Sequence, residues 1–154
     1  MEQNGQSNGC NSMRRMFLGE FSHTIDSKGR IFMPAKFRDQ MGDAFFVAKG
    51  VDCCLCVYPQ EKWEALTAKI SALPELEAKA LARFLYPSAA LAEPDAQGRF
   101  LIPLTLRKYA QLGKNVTVIG MGTYAEIWNT EYFAGTKEGE EAEDIRSLMQ
   151  RLNF

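Results

Sequence analysis

Arg30 and Arg99 each follow directly on a turn signal, and the stretches that hold them read alike. Asp26-Ser27-Lys28-Gly29-Arg30-Ile31-Phe32-Met33-Pro34 is answered 69 positions later by Asp95-Ala96-Gln97-Gly98-Arg99-Phe100-Leu101-Ile102-Pro103. The chemistry on offer is anion recognition. A guanidinium is planar, permanently charged and able to give two parallel hydrogen bonds to a phosphate or to the O6/N7 edge of guanine. In each turn the Asp suits a forward hydrogen bond onto the backbone and the Gly supplies positive φ, so Asp26, Gly29, Asp95 and Gly98 read as shaping residues. The bend itself gives no reason for an arginine to recur after it, and the recurrence points to contact. Lys28 adds a point charge to the first turn where the second has neutral Gln97. Lys28, Arg30, Gln97 and Arg99 are therefore the candidate contact residues, with the first copy expected to contribute more phosphate attraction.

Other constellations are weaker. Asp26 and Asp95 as a carboxylate pair with His23, the single histidine, would make an acid–base site. No nucleophile elbow, phosphate-binding loop or metal set accompanies them, and the chain does not read as an enzyme. Of the four cysteines, Cys10 lies in a polar leader while Cys53, Cys54 and Cys56 crowd one apolar segment. Cys53 and Cys56 spell C-x-x-C, but residues three apart on a strand face opposite ways and no second pair exists to complete a zinc set. A reduced chain without metal or cofactor is the expectation, its clustered cysteines packing as small apolar groups.

The arginines need a scaffold, and 154 residues suffice for one domain or for two small halves sharing a core. No run of eighteen apolar residues occurs, so no membrane span is expected. Residues 1–15 read as a disordered leader or an added segment, with the natural chain expected to begin at Met13 or Met16. The formal net charge of -1 hides an uneven distribution. From Met13 to Arg38 six cations face two anions, whereas from Glu131 to Asp144 six anions face Lys137 alone. Such asymmetry suits a localised anion-binding face.

Each half carries the same grammar. In the first, Phe17–Ile25 and Arg30–Met33 read as strands flanking the turn in a hairpin-like unit, followed by a short helix from Pro34 to Gly42 with Phe37 and Met41 on its buried side. Phe45–Ala48 and Cys53–Tyr58 are two further strands. Pro59 opens a helix carrying Trp63, Leu66, Ile70 and Leu73 at helical spacing, and a second helix, Glu75 to Tyr86, carries Leu76, Ala80, Leu81, Phe84 and Leu85. The second half repeats the order: a strand at Ala89–Ala92, the turn, Phe100–Ile102, a helix from Pro103 to about Leu112, then strands Val116–Ile119 and Thr123–Trp128. With an offset of 70, Gly50/Gly120, Val57/Ile127, Tyr58/Trp128, Glu61/Glu131 and Trp63/Phe133 come into line. Duplication follows. The organisation expected is 16–86 as a first repeat with its helical pair, 87–133 as a second repeat, and 134–154 as an acidic C-terminal helix or tail.

Met16-Phe17-Leu18-Gly19-Glu20 before Asp26-Ser27-Lys28-Gly29-Arg30, then Tyr58-Pro59 with Trp63, Asp95-Ala96-Gln97-Gly98-Arg99 and Glu126-Ile127-Trp128, resembles the MraZ family of bacterial transcriptional regulators. The resemblance runs from about Met16 to Phe133. It implies an α+β fold with a mainly β core of AbrB-like swapped-hairpin type, built from two tandem repeats interleaved as a pseudo-dimer within one chain, with peripheral helices. It also implies a ring-shaped homo-oligomer in the cytoplasm, associated with the nucleoid, that binds repeated short sites in promoter DNA and represses the division and cell-wall gene cluster. By motif position Arg30 matches the family's DNA-contacting arginine, Arg99 its counterpart, and Lys28 lies in the same loop. The alternative is a protein-interaction module whose arginines meet acidic groups on a partner without reading DNA.

Overall fold

A computed structural model of the chain describes residues 16–139 and 142–153. The leader, with Cys10, Arg14 and Arg15, lies outside the described residues, as do Glu140 and Glu141 of the acidic run. The elements are β1 (Glu20–Thr24), β2 (Arg30–Phe32), α1 (Ala35–Met41), β3 (Phe45–Lys49), β4 (Leu55–Pro59), α2 (Gln60–Ser71), α3 (Glu75–Leu85), β5 (Ala90–Ala92), β6 (Arg99–Leu101), α4 (Leu104–Tyr109), β7 (Asn115–Gly120), β8 (Ala125–Asn129), α5 (Thr130–Gly139) and α6 (Ala142–Arg151). Four of the helices follow a proline, Pro34, Pro59, Pro74 and Pro103, each extended at the N-cap, one position earlier than the first helical turn. An N-cap needs a non-helical backbone, which the ring's fixed φ permits.

The strands form one six-stranded antiparallel sheet, ordered β1-β7-β8-β4-β3-β5, and a separate two-stranded ribbon, β2-β6. The hairpin-like unit expected around the first turn does not form as such. β1 pairs with β7, and β2 pairs with β6, so the two strands flanking the turn find their partners in the second half of the chain. The same holds for β5 on β3 and β8 on β4. The fold is therefore α+β with two interleaved repeats. Its symmetry is written in the register: Ile31 lies opposite Phe100, its equivalent at an offset of 69, and Cys56 lies opposite Glu126, its equivalent at 70. One local two-fold axis accordingly passes through the middle of the ribbon and between β4 and β8.

Alternation along the strands sorts side chains between two cores. On one face Phe45, Val47, Leu55, Val57, Val116, Val118 and Ile127 pack against Ile31, Met33, Phe100 and Ile102 of the ribbon segments and against Phe37, Met41 and Leu106 from α1 and α4. Phe17 and Phe21 each pack edge-on with Phe37, with ring centroids 5.1 Å away in each case. On the other face Ala48, Ile70 and Leu85 form a smaller cluster with Tyr58, Trp63 and Leu66. The α2 stripe is thus internal. The expected α3 stripe is not: Leu85 is buried, but Leu76 is 83% exposed and Leu81 and Phe84 also face outward.

Two consequences are measurable. Phe37→Ala removes the ring that both β1 and the Phe17 segment pack on, and is expected to cost about 3–5 kcal/mol in denaturant unfolding while leaving a single transition. His23, on β1, has its pKa lowered first by burial and then by the Arg38 charge. The neutral imidazole is favoured in the folded state, so the unfolded chain binds the extra proton and stability falls as pH drops through about 6.5. His23→Gln is expected to flatten that part of the stability profile between pH 7 and 5.

Candidate nucleic-acid interface

The two turns are built alike to the atom. Asp26 Oδ1 accepts hydrogen bonds from the backbone N–H groups of Lys28 and Arg30, both at 2.9 Å, and Oδ2 accepts one from Arg30 Nε at 2.8 Å. Asp95 Oδ1 accepts from the N–H groups of Gln97 and Arg99 at 3.0 and 2.9 Å, and Oδ2 from Arg99 Nε at 2.9 Å. Backbone bonds close each loop, from Gly29 N–H to the Asp26 carbonyl and from Gly98 N–H to the Asp95 carbonyl. Gly29 and Gly98 adopt φ of 84° and 85°, which an L side chain rarely tolerates. The arginine is therefore part of the turn's own hydrogen bonding, a reason for its recurrence that the sequence reading did not supply. Its Nε is bound to the carboxylate, and the two Nη groups remain beyond that clamp as a two-pronged donor.

Both carboxyls are held below their usual range. The main cause in each is the backbone N–H of the arginine, Arg30 for Asp26 and Arg99 for Asp95, with further help from that arginine's side chain. A carboxylate so stabilised is a poor general base. The two aspartates also belong to different loops, each engaged by its own arginine, and do not form a catalytic pair.

The ribbon orients the arginines. Alternation buries Ile31 and Phe100 and turns the neighbouring residues of each strand the other way, so Arg30, Phe32, Arg99 and Leu101 share the outward face. Arg30 pairs with Leu101 and Arg99 with Phe32, which places the arginines at opposite ends of a three-residue ribbon. Strand rise and spacing put their Cα atoms roughly 8 Å apart. Phe32 and Leu101 are 42% and 53% exposed, an apolar patch between the two cations.

Each loop rests on the opposite half. Met33 N–H donates to the Gly98 carbonyl at 3.2 Å and Ile102 N–H to the Gly29 carbonyl at 2.9 Å. The Arg107 guanidinium lies so close to Gly29 that a Cβ there would come within 2.7 Å of it, and Arg38 stands 3.0 Å from the corresponding point at Gly98. Arg38 Nε and Arg107 Nε are themselves fixed, donating to the Met33 and Ile102 carbonyls at 3.1 and 2.8 Å. These two arginines were missed as site residues, although each lies four residues after the repeated proline and 69 residues from the other. Lys28 and Gln97 are exposed at the loop tips. The structure thus gathers all four candidate contact residues with two further guanidinium groups around one ribbon.

The family described as "MraZ protein, putative antitoxin-like" matches the chain twice, over residues 16–84 and 85–151. A transcriptional regulator MraZ of Carboxydothermus hydrogenoformans is 47% identical over 138 residues, 87% of this chain and 96% of that protein. Proteins of the same name from Desulforamulus reducens and Limosilactobacillus reuteri are 49% and 44% identical, over 75% and 90% of this chain and 83% and 99% of their own lengths. With two family matches that between them take in both arginine loops and the strands that join them, the chain belongs to the MraZ family.

Proposed function

We propose that the chain is a DNA-binding transcriptional regulator, and not an enzyme, that inserts the β2–β6 ribbon face into a groove of promoter DNA. The observation that carries this reading is the pair of Asp-clamped arginines on one outward face. A spacing of roughly 8 Å fits within the major groove, which is about 12 Å wide and admits a two-stranded ribbon. The Nη groups of Arg30 and Arg99 suit base edges or phosphates, Phe32 and Leu101 suit thymine methyls, and Lys28 and Gln97 extend the contact from the loop tips. Asp26, Gly29, Asp95 and Gly98 shape the loops. Membership in a family whose named relatives are transcriptional regulators supports the same conclusion.

A net charge of -1 gives little general attraction to DNA, so one ribbon per chain is a weak reader. Assembly of several chains into a ring-shaped homo-oligomer on repeated short sites supplies the missing affinity through effective concentration. The exposed Leu76, Leu81 and Phe84 of α3 suit subunit contacts. In this reading the protein works in the cytoplasm at the nucleoid and represses the division and cell-wall genes, with residues 16–86 and 87–133 as its repeats and 134–154 as an acidic appendage. Among the described residues no helix is long and apolar enough to cross a membrane.

Binding to the DNA upstream of the chain's own gene tests the site. Arg30→Ala and Arg99→Ala are each expected to weaken it by about 1–3 kcal/mol, Arg30→Ala more, as read by fluorescence anisotropy at fixed salt. Unchanged affinity in both, with circular dichroism intact, would exclude the ribbon as the reader. Asp26→Asn separates positioning from charge. It removes an anion, which simple electrostatics would reward, yet loss of the Nε acceptor is expected to weaken binding.

A further inference from the structure

The cysteines that come together are not the C-x-x-C pair. Cys54 and Cys56 lie on the same side of β4 and its lead-in, both buried. Cys56 is also opposite Glu126 on β8, and Glu126 is 9% exposed. One ligand atom from each of Cys54, Cys56 and Glu126 lies within 4.8 Å of the others. None of the ion pairs among the described residues includes Glu126. Two features keep the cluster in order. Trp128 Nε1 donates to Glu126 Oε1 at 3.0 Å, fixing one oxygen of the carboxylate in the manner of an outer-shell partner. Gly50 leaves the room the sulfurs occupy: a Cβ there would stand 2.5 Å from Cys54 Sγ and 3.1 Å from Cys56 Sγ.

We propose that Cys54, Cys56 and Glu126 bind a thiophilic divalent cation of the zinc class on the local two-fold axis, tying β4 of the first repeat to β8 of the second. Two thiolates and a carboxylate are a ligand set this cation accepts, and three protein ligands leave one tetrahedral position for solvent. Zinc–sulfur bonds of about 2.3 Å set two sulfurs about 3.8 Å apart, so the cluster closes with a shift of about 1 Å. On binding, each thiol gives its proton to solvent, and exchange of two protons for one divalent cation leaves the net charge of the buried cluster unchanged. Oxygen-seeking cations such as Mg²⁺ lack this preference for sulfur. The site is independent of the arginine face, so its failure leaves the DNA-binding reading untouched.

Cobalt(II) is the probe, added to the full chain carrying Cys10→Ser and Cys53→Ser after chelator treatment under a phosphine reductant. The expected result is a thiolate-to-cobalt charge-transfer band with intense tetrahedral d–d bands, saturating at one equivalent and displaced by Zn²⁺. Cys56→Ser should abolish the charge-transfer band, and Glu126→Gln should shift the d–d bands and weaken affinity at least about tenfold. A folded protein without the band, a band that survives Cys56→Ser, or a spectrum indifferent to Glu126→Gln would overturn the site. A second readout needs no ligand variant: Zn²⁺ should raise the melting temperature of the unmutated chain and a chelator should reverse it, whereas a melt indifferent to Zn²⁺ counts against the proposal.

Discussion

Three residues of strand cannot stand alone, and β2 and β6 are three residues each. Their backbone groups must be paired, since a buried N–H or C=O without a partner costs as much as a lost hydrogen bond. Each strand satisfies the other, and the flanking bonds from Met33 to Gly98 and from Ile102 to Gly29 extend the pairing into the opposite loop. Much else follows from that mutual dependence. The ribbon exists only when both halves are folded, and its inner residues Ile31 and Phe100 belong to the same core as β3, β4, β7 and β8. The loops that carry Arg30 and Arg99 are therefore fastened to the most deeply packed part of the molecule. A contact residue on a loop gains precision from such an anchor, because the scaffold and not the loop sets its position.

Within that frame the aspartates act as orienting groups. One oxygen organises the backbone of the turn and the other takes the Nε of the arginine, so a single carboxylate fixes both the loop and the side chain it presents. Restriction of a long, rotamer-rich side chain before it meets a ligand lowers the entropic cost of the meeting. Arg38 and Arg107 do comparable work from below, each filling the space that a glycine leaves open.

The order of elements as far as β8, the duplication and the two arginine turns were legible in the sequence, because turn residues, prolines and apolar spacing are local signals. Pairing is not local. Strand propensity near Phe21 and Ile31 says that strands form there but not that their partners lie far along the chain, so the nearest-neighbour hairpin was the natural and wrong expectation. Arg38 and Arg107 escaped notice for a related reason: each serves the loop of the other repeat, a relation visible only once the halves interleave. The α3 periodicity did signal a helix, yet Leu76 faces outward, since spacing locates an apolar stripe without saying what covers it. C-x-x-C drew attention to Cys53 and Cys56, while the spacing of two between Cys54 and Cys56 is the one that places both sulfurs on one side of a strand.

The exposed tips of the two loops differ, Lys28 in one and Gln97 in the other, on a framework that is otherwise close to two-fold. In a dimer of identical chains any such change would appear twice and the symmetry would survive it. Joining both halves in one polypeptide lets each loop vary alone. The result is a ribbon with a head and a tail: half a turn about the local axis brings Gln97 to where Lys28 had been, so its two ends are no longer interchangeable.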